Sequence, residues 1–248
     1  MPRSPRNHRW TLRGAVRLPG GAPRDVRPRG AEGTGKKGTG AGNTGAEGTD
    51  AQERRLTPAE ALRLLREGNA RRAGRGARGA RRGGGGCSAA RRPVAAVLAC
   101  VDCPVPPETL FGQEPGALLV IRTAAHTLDA TVEGSVEYGP VELGVPLVVV
   151  LGHERCGAVA AALESRTAGT RPPAHLAVAA ARLAAACRDG SEAPGDAVEN
   201  TVRAQQDRVV AHLRDDPVLL PLLRRGELEV VGAHCREETG NVEFPAGP

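Results

Sequence analysis

Two short turns carry the residues of this 248-residue chain whose types and spacing suggest shared chemistry. The first reads Cys100-Val101-Asp102-Cys103, and the second reads His153-Glu154-Arg155-Cys156-Gly157. Two thiolates, an imidazole and a carboxylate gathered at one point form a donor set whose softness suits zinc. Any one buried cysteine is more often an inert core residue than a ligand. The joint spacing reverses that expectation for Cys100 and Cys156. Cys103 forms C-x-x-C with Cys100, which leaves three roles open: a redox pair, a fourth ligand in a closed Cys₃His site, or a spectator thiol. Cys87 and Cys187 have no visible partner. His234-Cys235 reads as a loop after the last strand, and His126 is a candidate for lining a cleft.

Each turn needs an element to position it, and each follows an apolar run. V-A-A-V-L-A precedes Cys100, and L-V-V-V-L-G precedes His153. Short aliphatic runs bounded by turn residues predict buried strands, here at 94–99 and 147–151. In an open parallel sheet the functional groups collect beyond the carboxyl ends of the strands. Two such strands side by side would unite the turns across the intervening sequence. Further strands are predicted at 117–121 and 228–231, with an edge strand at 241–244. Helical patterns occupy 127–143 (broken at Pro140, which lacks an N–H), the entry from Cys156-Gly157-Ala158, 174–188, the face Val202/Val209/Val210/Leu213, and 218–223. Strands alternating with helices predict an α/β fold, a parallel sheet flanked by helices.

Charge divides the chain. Before the body at Val94 there are 22 Lys+Arg and 7 Asp+Glu, whereas the remainder holds 12 and 21. The basic surplus therefore belongs to the N-terminal third, ahead of an acidic body. Residues 1–52 are rich in Gly, Thr, Pro and Arg without apolar periodicity, which predicts a disordered basic arm. Residues 53–93 combine one helix with an Arg/Gly-rich linker from Arg71, and 94–248 form the zinc-binding domain. Thr57, Pro58 and Glu60 make the helix start, and Gly68-Asn69 is its expected stop. Arginine clusters can bind phosphate backbones, but this arm lacks interleaved aromatics, so a solvated tail is expected and nucleic acid is not. Arginines without an apolar stretch at the N-terminus predict neither a signal peptide nor a membrane span. Six cysteines then imply reduced thiols and metal, with the cytoplasm as default.

The paired turns resemble the zinc motifs of the β-class carbonic anhydrases, which carry Cys-x-Asp-Ser-Arg and later His-x-x-Cys-Gly. The resemblance runs over residues 56–244. Glu67-Gly68-Asn69, Pro107-Glu108, Pro115-Gly116, Val120-Ile121-Arg122, Ser135-Val136-Glu137-Tyr138, Glu199-Asn200, Arg203-Ala204-Gln205, Gly226-Glu227-Leu228 and Thr239-Gly240 are similar to family landmarks. It implies Cys100, His153 and Cys156 as zinc ligands, with water or Asp102 in the fourth position and Asp102 the catalytic carboxylate. It also implies reversible hydration of carbon dioxide to bicarbonate by a homodimer or larger homo-oligomer. Three protein ligands and an open site bring zinc-bound water to a pKa of about 7, which suits that reaction.

The chain departs from the family pattern at one chemically important place. The family's arginine, which holds the aspartate off the metal, is Pro104 here, and the serine before it is Cys103. Asp102 is then free to close the site, so weakened activity is expected. The alternative is a non-catalytic zinc-binding homologue whose arm mediates binding. Ala117, the Thr123–His126 stretch and Cys235 also differ from the family residues.

Removing residues 1–52 should leave the melting temperature and metal content unchanged. A drop of several degrees would show that the arm packs on the body.

Overall fold

The computed structural model describes residues 55–73 and 93–244, so the basic arm and nearly all of the predicted linker lie outside the described residues. Five strands form one sheet: β1 (Ala95–Cys100), β2 (Leu118–Thr123), β3 (Leu147–His153), β4 (Glu229–Cys235) and β5 (Val242–Glu243). Their order is β2-β1-β3-β4-β5. The first four run parallel and β5 pairs antiparallel on the edge. Every residue of β1 and β3 is buried, as expected of strands covered on both faces.

The period-two alternation of strand side chains divides the core into two faces. On one, Val97, Ala99, Val149 and Leu151 pack with Ala61 and Leu65 of α1 (Pro58–Ala73) and with Phe111, just after α2 (Pro107–Leu110). On the other, Ala96, Leu98, Val148 and Val150 meet Val136 of α3 (Ala130–Tyr138) and Val209, Val210 and Leu213 of α7 (Ala197–Arg214). Between these helices lie α4 (Gly157–Thr167), α5 (Leu176–Arg182) and α6 (Ala184–Glu192), and α8 (Leu220–Arg224) precedes β4. After β1 the chain adds β2 on one side, then places β3 on the other. That reversal makes the crevice beyond the carboxyl ends of β1 and β3 a topological switch point, where ligands bind in open α/β sheets.

The start of α1 follows its sequence signature. Thr57 Oγ1 accepts from Glu60 N (3.3 Å), while Glu60 Oε2 accepts from Thr57 N (2.8 Å), a reciprocal cap. Its end does not: α1 continues through Gly68-Asn69 to Ala73. Those two residues serve tertiary packing. A Cβ at Gly68 would collide with the Phe111 carbonyl. Asn69 is buried, donating to the carbonyls of Leu110 (2.9 Å) and Gly240 (2.8 Å) and accepting from Val242 N (2.9 Å).

Three other expectations need correction. The helical stretch around Pro140 becomes α3 followed by a π-helical turn, Gly139–Leu143, which accommodates the missing N–H. The alanine-rich segment is two helices, and Leu183 at their junction is buried in the same apolar cluster as Cys156 and Val159. Last, β4 runs four residues beyond its predicted end, through Gly232. A Cβ at Gly232 would strike the Gln206 side chain of α7, so this glycine is a point of close approach and not a strand terminus.

Asn69→Ala leaves two carbonyls and one N–H without their partner. It should lower unfolding free energy by at least about 2 kcal/mol in chemical denaturation; a loss below about 0.5 kcal/mol would refute the role given to this side chain.

Candidate metal centre

Cys100 is the last residue of β1 and His153 the last of β3, so the sheet delivers both side chains to the same end. Ala99 pairs with Leu151, which brings the following residues of the two strands alongside each other. Beyond His153 the chain turns through Glu154 and Arg155, and Cys156 is the N-cap of α4. Arg155 has φ 53°, a left-handed conformation costly for a residue with a Cβ. That turn returns Cys156 toward β1, and its Sγ lies 3.6 Å from Cys100 Sγ. Ligand atoms of Cys100, His153 and Cys156 all lie within 4.8 Å of one another. Among the described residues, no other group of three such side chains is so gathered.

The electrostatics prepare these groups for a cation. Cys100 Sγ receives the backbone N–H groups of Asp102 (3.4 Å) and Ala125 (3.2 Å). Ala125 reaches the sulfur from a 3-10 turn, Ala124–His126, in which both Ala125 and His126 have positive φ. The Cys100 thiol is pulled down to about 3, first by its hydrogen bond with Cys156 and against its own burial, with help from His153 and the two N–H groups. Cys156 is pushed up by the same hydrogen bond and by burial. Burial alone would lower His153, yet the Cys100 sulfur and the Glu237 carboxylate leave it raised. His153 Nδ1 bonds Glu154 O (3.0 Å) and Glu237 Oε1 (3.1 Å). Its Nε2 is buried without a hydrogen-bond partner. An orphaned imidazole nitrogen facing two sulfurs is a cost in the absence of a cation, and a soft metal ion relieves it.

Asp102 stands apart from the three. Its Oδ2 accepts from Gly157 N at 2.6 Å, at the start of α4, and the residue is exposed. Of the four residues the sequence nominates as ligands, the fold gathers Cys100, His153 and Cys156, and ties Asp102 to the helix beside them. A guanidinium does reach this turn, from Arg122 on β2. Its Nε donates to Cys100 O (3.0 Å) and its Nη2 to Cys103 O, fixing the backbone of the turn.

The remaining candidates separate by burial. Cys103 is buried, donates to Val105 O (3.5 Å) and has its thiol pushed up by burial. His234 and Cys235 belong to β4 and not to a loop; the register places Cys235 opposite His153. Burial pushes Cys235 up to about 12. His234 Nε2 lies 3.1 Å from Glu199 Oε1. His126 is fully buried with neither nitrogen hydrogen-bonded, and burial pulls it down to about 4. A cavity of about 520 Å³ flanks the second turn, with Glu154, Arg155, Glu199, Arg203 and Arg236 in its wall. Its charges are largely paired with one another, as in Arg203–Glu199 (2.7 Å) and Arg236–Glu154 (3.2 Å). Glu237 escaped sequence reasoning, since a lone carboxylate after a strand has no spacing that marks it. Arg122 was visible only as part of a run.

Residues 95–242, which include all of these groups, match the family described as carbonic anhydrase. "Carbonic anhydrase 2" of Mycobacterium tuberculosis is 45% identical over 91 residues, 37% of this chain and 44% of that protein. The chain thus spans less than half the length of this relative. "Carbonic anhydrase" of Mycolicibacterium smegmatis is 35% identical over 156 residues, 62% of this chain and 76% of the relative. The solved β-carbonic anhydrase CcaA superposes with a TM-score of 0.57 at 25% identity, covering 64% of this chain and 85% of that one.

Purified protein should carry one transition-metal ion per chain by elemental analysis. Cys156→Ala should cut that content at least tenfold, and full retention in this variant would remove Cys156 from the centre.

Proposed function

Since the chain belongs to the β-class carbonic anhydrase family, we propose that it is a zinc-dependent carbonic anhydrase, hydrating carbon dioxide reversibly to bicarbonate. The observation that carries this reading is the buried, unpartnered Nε2 of His153 beside the sulfurs of Cys100 and Cys156. Zinc held by these three residues supplies a Lewis acid that lowers the pKa of its water to about 7. The remaining chemistry falls to the protein. The N–H groups of Asp102 and Ala125 spread the charge of Cys100 over the backbone, so that two sulfurs can lose their protons in a buried place.

Asp102 has two tasks in this proposal. Its Oδ2 is engaged by Gly157 N–H, a bond the carboxylate would have to give up to become a fourth metal ligand. Its Oδ1 is left to accept a hydrogen bond from the entering water or from bicarbonate. The family's arginine would grip this carboxylate with a planar fork of donors, a stronger hold than one N–H. Pro104 has no donor to offer, so the carboxylate is restrained by less and competes with water for the metal. Turnover is accordingly lowered. Arg122 does not take the family arginine's place, because the hydrogen bonds it makes at this turn go to the carbonyls of Cys100 and Cys103.

Homo-oligomeric assembly is proposed on the family resemblance alone. A cytoplasmic setting suits the five free cysteines among the described residues. No described helix is long and apolar enough to cross a membrane.

The test is stopped-flow hydration with zinc-loaded protein. Wild type should turn over measurably, Pro104→Arg should be roughly tenfold faster, about 1.4 kcal/mol in barrier, and Asp102→Ala roughly 100-fold slower. Absence of turnover in fully loaded wild type and in Pro104→Arg alike would favour a non-catalytic zinc-binding homologue.

A further inference from the structure

We propose that Glu237, clamped by Arg155, is the positioning residue that secures His153 as a metal ligand; the proposal rests on the metal-centre reading above. The Glu237 carboxylate faces two partners. Oε1 receives His153 Nδ1 at 3.1 Å, and Oε2 receives Arg155 Nε at 3.1 Å and Nη2 at 2.8 Å. The link is reciprocal, because the carboxylate of Glu154 accepts from Glu237 N at 3.1 Å. Glu154 N also donates to Cys235 O at 3.1 Å. The turn that carries His153 and Cys156 is in this way strapped to the end of β4.

Two nearby acceptors serve Nδ1 differently. The Glu154 carbonyl, one residue along, is enough to place the ring proton on Nδ1 and the lone pair on Nε2. The Glu237 carboxylate adds a negative charge on the far side of the ring, which strengthens Nε2 as an electron-pair donor and fixes the plane of the imidazole. The carboxylate side chain is 19% exposed and the His153 side chain 1%, so water screens this contact less than an ordinary surface pair. Arg155 has its own cost in the left-handed region, and its fork onto Glu237 helps to hold that backbone in place. Arg155 and Glu237 thus act through His153 and touch no reacting atom.

The experiment compares full-length, zinc-loaded wild type with Glu237→Leu, Glu237→Gln and Arg155→Ala. The rate of zinc transfer to a chromophoric chelator is the main readout, with the visible spectrum of the cobalt-substituted centre and the melting temperature of the metal-free proteins beside it. Glu237→Leu should release zinc roughly 10- to 100-fold faster, Glu237→Gln by an intermediate factor and Arg155→Ala by a smaller one. The cobalt spectrum should shift in the Glu237 variants, while metal-free melting temperatures stay within a few degrees of wild type. Release from Glu237→Leu within twofold of wild type overturns the proposal. So does faster release matched by a fall in metal-free stability, which would make Glu237 merely structural. If Glu237→Leu does not fold, the near-isosteric Glu237→Gln decides on the same criterion. Wild type that takes up no zinc would instead defeat the metal-centre reading from which this one starts.

Discussion

The hydrogen-bonded register of β1 against β3, from Ala96 opposite Val148 to Ala99 opposite Leu151, is the constraint on which the rest of the molecule depends. A slip of one residue would send every strand side chain to the other face. A slip of β3 would take Val149 off the α1 side of the sheet, and the one-position offset between Cys100 and His153 at the strand ends would be lost. Both strands are buried along their whole length, so neither face can tolerate such an exchange. The packing that specifies the register thereby also gathers Cys100, His153 and Cys156. No separate device is needed to bring two turns, 53 positions apart at Cys100 and His153, into contact.

What the register assembles is electrostatically demanding. Two thiolates 3.6 Å apart in a buried setting repel each other strongly unless a cation lies between them. The protein prepares one thiolate with backbone N–H groups and leaves one imidazole nitrogen bare. It strains its backbone at Ala125, His126 and Arg155 to do so. Such local costs persist where surrounding packing enforces them, as it does at the carboxyl end of this sheet. The ion pairs around the second turn, Glu237 with Arg155 and Glu154 with Arg236, lie at the solvent-exposed rim of this arrangement.

Much of this was legible in the amino-acid order. Apolar runs ending in Cys100 and His153 announced two buried strands, and the spacing of the two turns announced that Cys100, His153 and Cys156 would be gathered. The Thr57/Glu60 cap was readable because both partners lie within one helical turn. Legibility failed where a residue's reason lies far away in sequence. Gly68-Asn69 has the local signature of a helix stop, yet its true partners are at Phe111, Gly240 and Val242. Gly232 reads as a strand end, but answers to Gln206 on another helix. For Asp102, the absent arginine at Pro104 was plain, while the Gly157 N–H that takes the carboxylate could be found only in three dimensions.

Asn69 has a consequence for how the molecule comes into being. Its hydrogen bonds to Gly240 and Val242 span 171 and 173 positions, so α1 cannot complete its docking until nearly the whole chain has left the ribosome. At roughly 5–20 residues per second, that is an interval on the order of ten to thirty seconds. During it the face of β1 and β3 destined for Ala61 and Leu65 lacks part of its cover, and Glu237 has not yet been made. The nascent chain therefore owns its three candidate ligands, and α1 before them, well before it owns the strap at Glu237 and the Gly240–Val242 segment on which α1 finishes docking.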